Sequence, residues 1–222
     1  MSTTDETVPA PVPAPGGATG ASSERPRFSL ALTARDLLNV AIFAVIYFVT
    51  VYAIALLGII NPLVMLLTLP LSIVVAGIPY MLFLTRVRHA GMVTLFGAAI
   101  GVLYLLGGHP WISTLVTIAV ALLAEVVLWA GRYRSRAAAI VAYAVFSLWY
   151  IGPMLPLLTN RAEYLDSPGM RAMGPEYVAS FDRTVSTTVL WAYNVSTLVC
   201  GLLGGLLGVY LLKKHFTRAG LA

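Results

Sequence analysis

The stretch GMVTLFGAAIGVLYLLGGHPWISTLVTIAVALLAEVVLWAGRYRSR, residues 91–136, decides how this chain is built. Two apolar runs are joined by the very short polar turn Gly107-Gly108-His109-Pro110-Trp111, and the second is stopped by Arg132-Tyr133-Arg134-Ser135-Arg136. A tight turn on one side and a basic loop on the other read as two consecutive membrane crossings, because Lys and Arg in short loops stay on the cytoplasmic face. Glu125 lies in the second run and is the only acidic residue in the interior of any apolar run.

Composition extends that reading to the whole chain. Of 222 residues, 59% are hydrophobic and 10% charged, with a mean hydropathy of +0.87, against about 45–50% apolar and about 25% charged in a soluble domain. The sequence is that of an integral membrane protein. A net charge of +5 would suit nucleic acid if the cations shared a face, but they lie at the ends of apolar runs and act as topology signals. A lone cysteine, Cys200, excludes an intrachain disulfide and a cysteine-cluster metal site.

Residues 1–30 are rich in Pro, Ala, Gly, Ser and Thr and read as a disordered cytoplasmic tail. Asp5, Glu6, the prolines and the absence of an apolar core before Phe28 argue against a signal peptide. Residues 31–222 then form one domain, expected to be an all-α bundle of six transmembrane helices, since a crossing takes about 20 apolar residues. The candidate spans are residues 37–60, 63–84, 92–106, 112–130, 137–158 and 185–212. The third is short for a straight crossing. The second carries Pro70 and Pro79, which remove backbone donors and predict a kink or a partly irregular element.

One side of the bundle collects Arg25, Arg27, Arg35, Arg86, Arg88, Arg132, Arg134, Arg136, Lys213, Lys214 and Arg218. The other has Arg161, Arg171 and Arg183 mixed with Glu163, Asp166, Glu176 and Asp182, so both termini are expected in the cytoplasm of a bacterial cell membrane. Two outer connections, Asn61-Pro62 and His109-Pro110, are minimal; the third, residues 159–184, is an extracellular loop long enough to act as a lid.

No P-loop, H-E-x-x-H or G-x-S-x-G motif is present, and no pair of intramembrane carboxylates, so the chain is not expected to be an enzyme or to need a cofactor or metal. Gly201/Gly205, Gly204/Gly208 and Gly97/Gly101 have the four-residue spacing that lets helix backbones approach, either within the bundle or against a partner. Glu125 could serve a substrate or ion, or could snorkel and pair near the inner headgroups in a structural role. The outer ends of the spans bring together His109, Trp111, Trp149, Tyr150, Trp191, Tyr193 and Asn194. Rings and polar groups at one membrane level suit either an outward-facing pocket for a small solute or an interfacial aromatic belt.

The succession Gly91-Met92, Phe96-Gly97, Gly107-Gly108-His109, Ala124-Glu125, Tyr143 to Leu148, Pro175-Glu176-Tyr177-Val178, Lys213-Lys214-His215-Phe216 and Ala219-Gly220 resembles the Trep_Strep (MptD-like) family of bacterial membrane proteins, over about residues 32–221. Those proteins look like S components, the substrate-binding subunits of energy-coupling-factor importers. The resemblance implies a six-helix subunit that captures a micronutrient outside and releases it inside when docked on a transmembrane scaffold and two ATPases. It implies docking through small residues of the first span, where Ala41 and Ala44 stand nearest the pattern. It also implies a pocket at the outer ends of the later spans, with Trp149, Tyr150, Tyr177, Trp191 and Asn194 as contacts. The rival readings are an autonomous secondary transporter or channel, which wants ion-binding carboxylates or related halves, and a non-transport membrane scaffold.

Overall fold

The computed structural model describes residues 32–87 and 89–218, with side chains as far as Lys214. The tail, Arg88 and residues 219–222, which include the Ala219-Gly220 motif, lie outside the described residues, as do the side chains of residues 215–218.

Local chemistry sets the helix starts. Thr33 and Asp36 form a reciprocal capping box that begins α1 (Ala34–Ala55), three residues before the apolar run itself. After a 3-10 turn at Leu56–Ile59, Asn61 caps α2 (Pro62–Leu84) by accepting from the Val64 amide, with Pro62 at the first helical position. Pro70 and Pro79 sit inside α2 without ending it. Elsewhere in this helix side chains add donors to backbone carbonyls: Ser72 donates to that of Leu69 and Tyr143 to that of Ile73. Gly91, at φ +92°, turns the chain into α3 (Met92–Leu106), and α4 (Trp111–Ala130) follows the 107–110 turn. The basic loop after α4 places Arg132 and Tyr133 at positive φ before Ser135 caps α5 (Arg136–Phe146). A 3-10 turn at Ser147–Tyr150 joins α5 to α6 (Ile151–Thr159).

Residues expected to form a loop are helical as well. Asn160 and Ser167 cap α7 (Arg161–Leu165) and α8 (Pro168–Ala172), and Gly174 with Pro175 opens α9 (Pro175–Thr184). The last helix, α10 (Thr187–Arg218), begins two residues later than the apolar run. Val185 still belongs to the end of α9, its amide donating to the Phe181 carbonyl, while Ser186 receives the Val189 amide and caps α10.

Among the described residues there is no strand, and five stretches are long and apolar enough to cross a membrane: Ala34–Ile59, Pro62–Leu84, Trp111–Ala130, Arg136–Thr159 and Thr187–Lys214. The 15-residue α3 is a shorter apolar helix, packed against α1 and α4. Its residues Val93, Phe96, Gly97, Ile100 and Tyr104 are buried, while Leu37, Leu67, Leu122, Val195 and Leu206 stand on the outside as a lipid-facing surface requires.

Aromatic rings make the centre. Phe96 packs edge-on against Tyr47 at 5.5 Å and Tyr80 at 5.7 Å and stacks on Phe83 at 4.6 Å. α10 lies between α2 and α5, and its glycines explain how it fits: a Cβ on Gly201 would stand 2.7 Å from the Ala144 Cα, and one on Gly208 2.7 Å from the Gly77 carbonyl oxygen. The glycine spacing therefore serves packing inside this chain. Gly77 is the tightest point, since a Cβ there would collide with the backbone of Gly204.

Gly77→Ala is expected to force α2 and α10 apart and cost about 1–3 kcal/mol. Thermal unfolding of the detergent-solubilised protein measures this, with Gly169→Ala, which meets open space, as the neutral control.

Candidate functional site

At the end of the bundle opposite the basic loops lies a cavity of about 880 Å³. Its position follows from three local devices. The 3-10 turn at Ser147–Tyr150 interrupts the fifth apolar stretch and turns Trp149 and Tyr150 inward, where both are buried. The Trp149 indole donates to the Tyr47 hydroxyl at 3.2 Å, and the Tyr150 and Ser72 hydroxyls meet at 2.6 Å, which fixes both rings. The second device is the turn after α3, where Gly108 adopts φ +88° and His109 folds back to donate its amide to the Tyr104 carbonyl. Its imidazole rests edge-on against the Tyr104 ring at 4.9 Å. The third is α7–α9, which roofs the cavity with Tyr164, Met170, Met173 and Tyr177.

The roof is tied down from within and from below. Arg161 grips Asp182 at 2.7 Å and donates to the Asp182 and Val185 carbonyls, closing the end of α9 as cations do at helix C-termini. Arg171 pairs with Asp166, which holds the Asp166 carboxyl below its usual range. Tyr177 reaches across to the Gly58 carbonyl at 3.1 Å, joining the roof to the turn after α1.

The lining is aromatic and soft. Tyr104, Trp149 and Tyr150 form a contiguous tier, with ring centroids 4.4 Å and 4.0 Å apart. Met65, Met154, Met170 and Met173 also line it, four of the seven methionines in the chain. Polarity is sparse: the Tyr104 hydroxyl and His109 Nδ1 are closed off from water and make no well-formed hydrogen bond. Each such group carries a desolvation penalty of about 1–3 kcal/mol. Burial pushes the His109 imidazole below its ordinary value, partly offset by the Tyr104 carbonyl, so the ring is neutral at pH 7.

Of the residues expected at a pocket, Trp149, Tyr150, His109 and Tyr177 line this cavity. Trp111, Trp191 and Asn194 are not among its lining residues. Trp111 and Trp191 are 67% and 54% exposed on the outer surface of the helices, the position of a belt residue. Asn194 is buried, yet its amide donates to the Leu190 carbonyl of its own helix and its Oδ1 is unpartnered. Tyr52, Tyr104, Tyr164 and the methionines were not foreseen as lining. Tyr104 sits within an apolar run where nothing marks its face; the clustering of methionines near 154–173 was the one available signal. Of the proposed docking pair, Ala41 is exposed and Ala44 is buried in the core, so they do not form one surface.

Glu125 lies at the opposite end of the bundle and is 7% exposed. Its Oε2 accepts the Thr94 amide at 2.8 Å and the Thr94 hydroxyl at 3.3 Å, and Oε1 accepts from Tyr133 at 2.6 Å. The carboxylate thus caps the first turn of α3, where backbone amides and the helix dipole favour an anion. Burial, together with the bond to Glu125, pushes the Tyr133 phenol upward and keeps it a donor. The pairing expected near the basic end is present, made with Thr94 and Tyr133.

An all-helical body with several lipid-length apolar helices defines an integral membrane protein. The family model described as hypothetical bacterial integral membrane protein (Trep_Strep) matches residues 34–218, and the chain belongs to that family. No curated protein and no solved structure matches it.

Glu125→Ala removes the acceptor that the Thr94 amide and the Tyr133 hydroxyl share and is expected to cost about 1–3 kcal/mol of stability. Thermal unfolding measures the loss, and solute affinity at the far end of the bundle is expected to stay unchanged.

Proposed function

We propose that this chain is an S component, the substrate-binding membrane subunit of an energy-coupling-factor importer. It takes a small micronutrient from outside and releases it inside when docked on a transmembrane scaffold subunit and two ATPases. The observation that carries the reading is the 880 Å³ aromatic cavity flanked by α7–α9, within the range of about 300–1,000 Å³ used for small-molecule sites. The sequence supplies no phosphate-binding loop, so the energy for release comes from partners. The one intramembrane carboxylate is occupied as a helix cap, which leaves no free group for ion coupling and weighs against an autonomous secondary carrier.

In this reading α3 is the sixth crossing. At about 1.5 Å per residue its 15 residues span roughly 22 Å, short of the hydrocarbon core, and the turns at either end complete the distance. Six crossings put both termini on the side of Arg35, Arg86, Arg132, Arg134, Arg136 and Lys213, which is the cytoplasm of a bacterial cell membrane. The cavity then opens outward.

Affinity purification of the tagged chain from its host in mild detergent is expected to recover two ATPases and a second membrane subunit. Recovery without ATPases after crosslinking would return the reading to a carrier or a scaffold. Solute binding separates the site residues: Trp149→Leu, which removes an indole from the cavity wall, is expected to weaken affinity at least tenfold. Trp191→Ala and Trp111→Ala, on the lipid side, are expected to leave it within a factor of about two. Equal losses at all three would place the solute elsewhere.

A further inference from the structure

The cavity's own chemistry narrows what it takes. Half-buried Tyr52, Tyr164 and Tyr177 join the buried tier of Tyr104, Trp149 and Tyr150 in the lining. A wall with this many rings favours an aromatic occupant by stacking and edge contacts. The thioethers of Met65, Met154, Met170 and Met173 fill the remaining wall with flexible, polarisable groups that adapt to a ring edge.

Negative charge is excluded as firmly as aromaticity is favoured. No Lys or Arg lines the cavity. Of the roof arginines, Arg161 is engaged on Asp182 and two backbone carbonyls and Arg171 on Asp166, and Arg183 is not among the lining residues. The one acid in the lining, Glu163, is exposed at the rim and accepts from Asn160 at 2.6 Å. An anion entering would surrender its hydration with no cation to replace it, whereas a cationic substituent would meet Glu163.

We infer that the cargo is an aromatic ring compound, uncharged or carrying a single positive substituent, held against the tyrosine, tryptophan and methionine lining with any cationic group at Glu163, and that carboxylated or phosphorylated counterparts are rejected. This rests on the reading of the cavity as the cargo site.

A series that shares one ring and differs in charge tests it: indole, tryptamine and indole-3-acetate, titrated by calorimetry onto the full-length protein in nanodiscs. Indole and tryptamine are expected to bind saturably, with indole-3-acetate at least tenfold weaker, about 1.4 kcal/mol. Glu163→Gln is expected to weaken tryptamine binding several-fold while leaving indole binding unchanged. Indole-3-acetate binding as tightly as indole, absence of saturable binding across the series, or Glu163→Gln binding tryptamine unchanged would each overturn the inference. The importer reading fails separately, through the absence of ATPases in crosslinked purifications, so ATPases recovered with a chain that ignores all three probes would sink the cargo class alone.

Discussion

The close passage of α10 along α2 is the constraint on which the rest depends. In lipid, apolar side chains gain nothing by turning inward from tails that are equally apolar, so helices associate through backbone approach and fitted packing. Gly77 and Gly204 supply that approach, and Gly208 extends it one turn. The other face of the same stripe meets α5, where a Cβ on Gly201 would stand 2.8 Å from the Ser147 hydroxyl oxygen. Ser147 opens the 3-10 turn that carries Trp149 and Tyr150. The glycines of α10 thus settle where the aromatic tier of the cavity stands.

Buried polarity is handled unevenly along the bundle. At the basic end, Glu125 has three donors on its two oxygens. The hydroxyls of Tyr80, Ser113 and Tyr193 and the Asn194 Oδ1 go without, as does the Tyr104 hydroxyl, and of these residues Tyr104 belongs to the cavity lining while the others do not. Unpartnered groups are thus spread through the helices and do not by themselves mark the cavity. The two ionisable positions that the sequence made conspicuous have separate roles: Glu125 joins α4 to α3 as architecture, and His109 lines the cavity as a neutral imidazole set against the Tyr104 carbonyl.

The spans were legible because twenty apolar residues bounded by charge have few other uses, and the basic loops and short turns showed how successive helices connect. The faces of those helices were not. A helix apolar all round carries no stripe to point inward, so Trp111 and Trp191, at the right membrane level, could not be told from Trp149 until packing was in view. Tyr104 was hidden for the same reason. The helical roof was legible and underread: Asn160 with Glu163, Ser167-Pro168 and Gly174-Pro175 are each a helix-start signature, obscured by the polarity of the stretch. Pro70 and Pro79 predicted trouble for α2, yet the helix runs through both, and nothing local could reveal that Tyr143, far along the chain, would reach Ile73.

The roof is braced within itself and seated on the body. Its side chains Met170 and Phe181 belong with Met154 and Leu157 of α6, Val185, and Leu190 of α10 to a small hydrophobic cluster distinct from the main core around Phe96, and Met65 and Leu69 of α2 pack against it. Its ion pairs, Arg161 with Asp182 and Arg171 with Asp166, both close on the 161–185 segment itself. Tyr177 adds its bond to Gly58 in the turn after α1. The segment thus takes its shape from its own charges and its seat from apolar packing on α2, α6 and α10. The set of the roof over the cavity and the close passage of α2 along α10 are therefore governed by different residues.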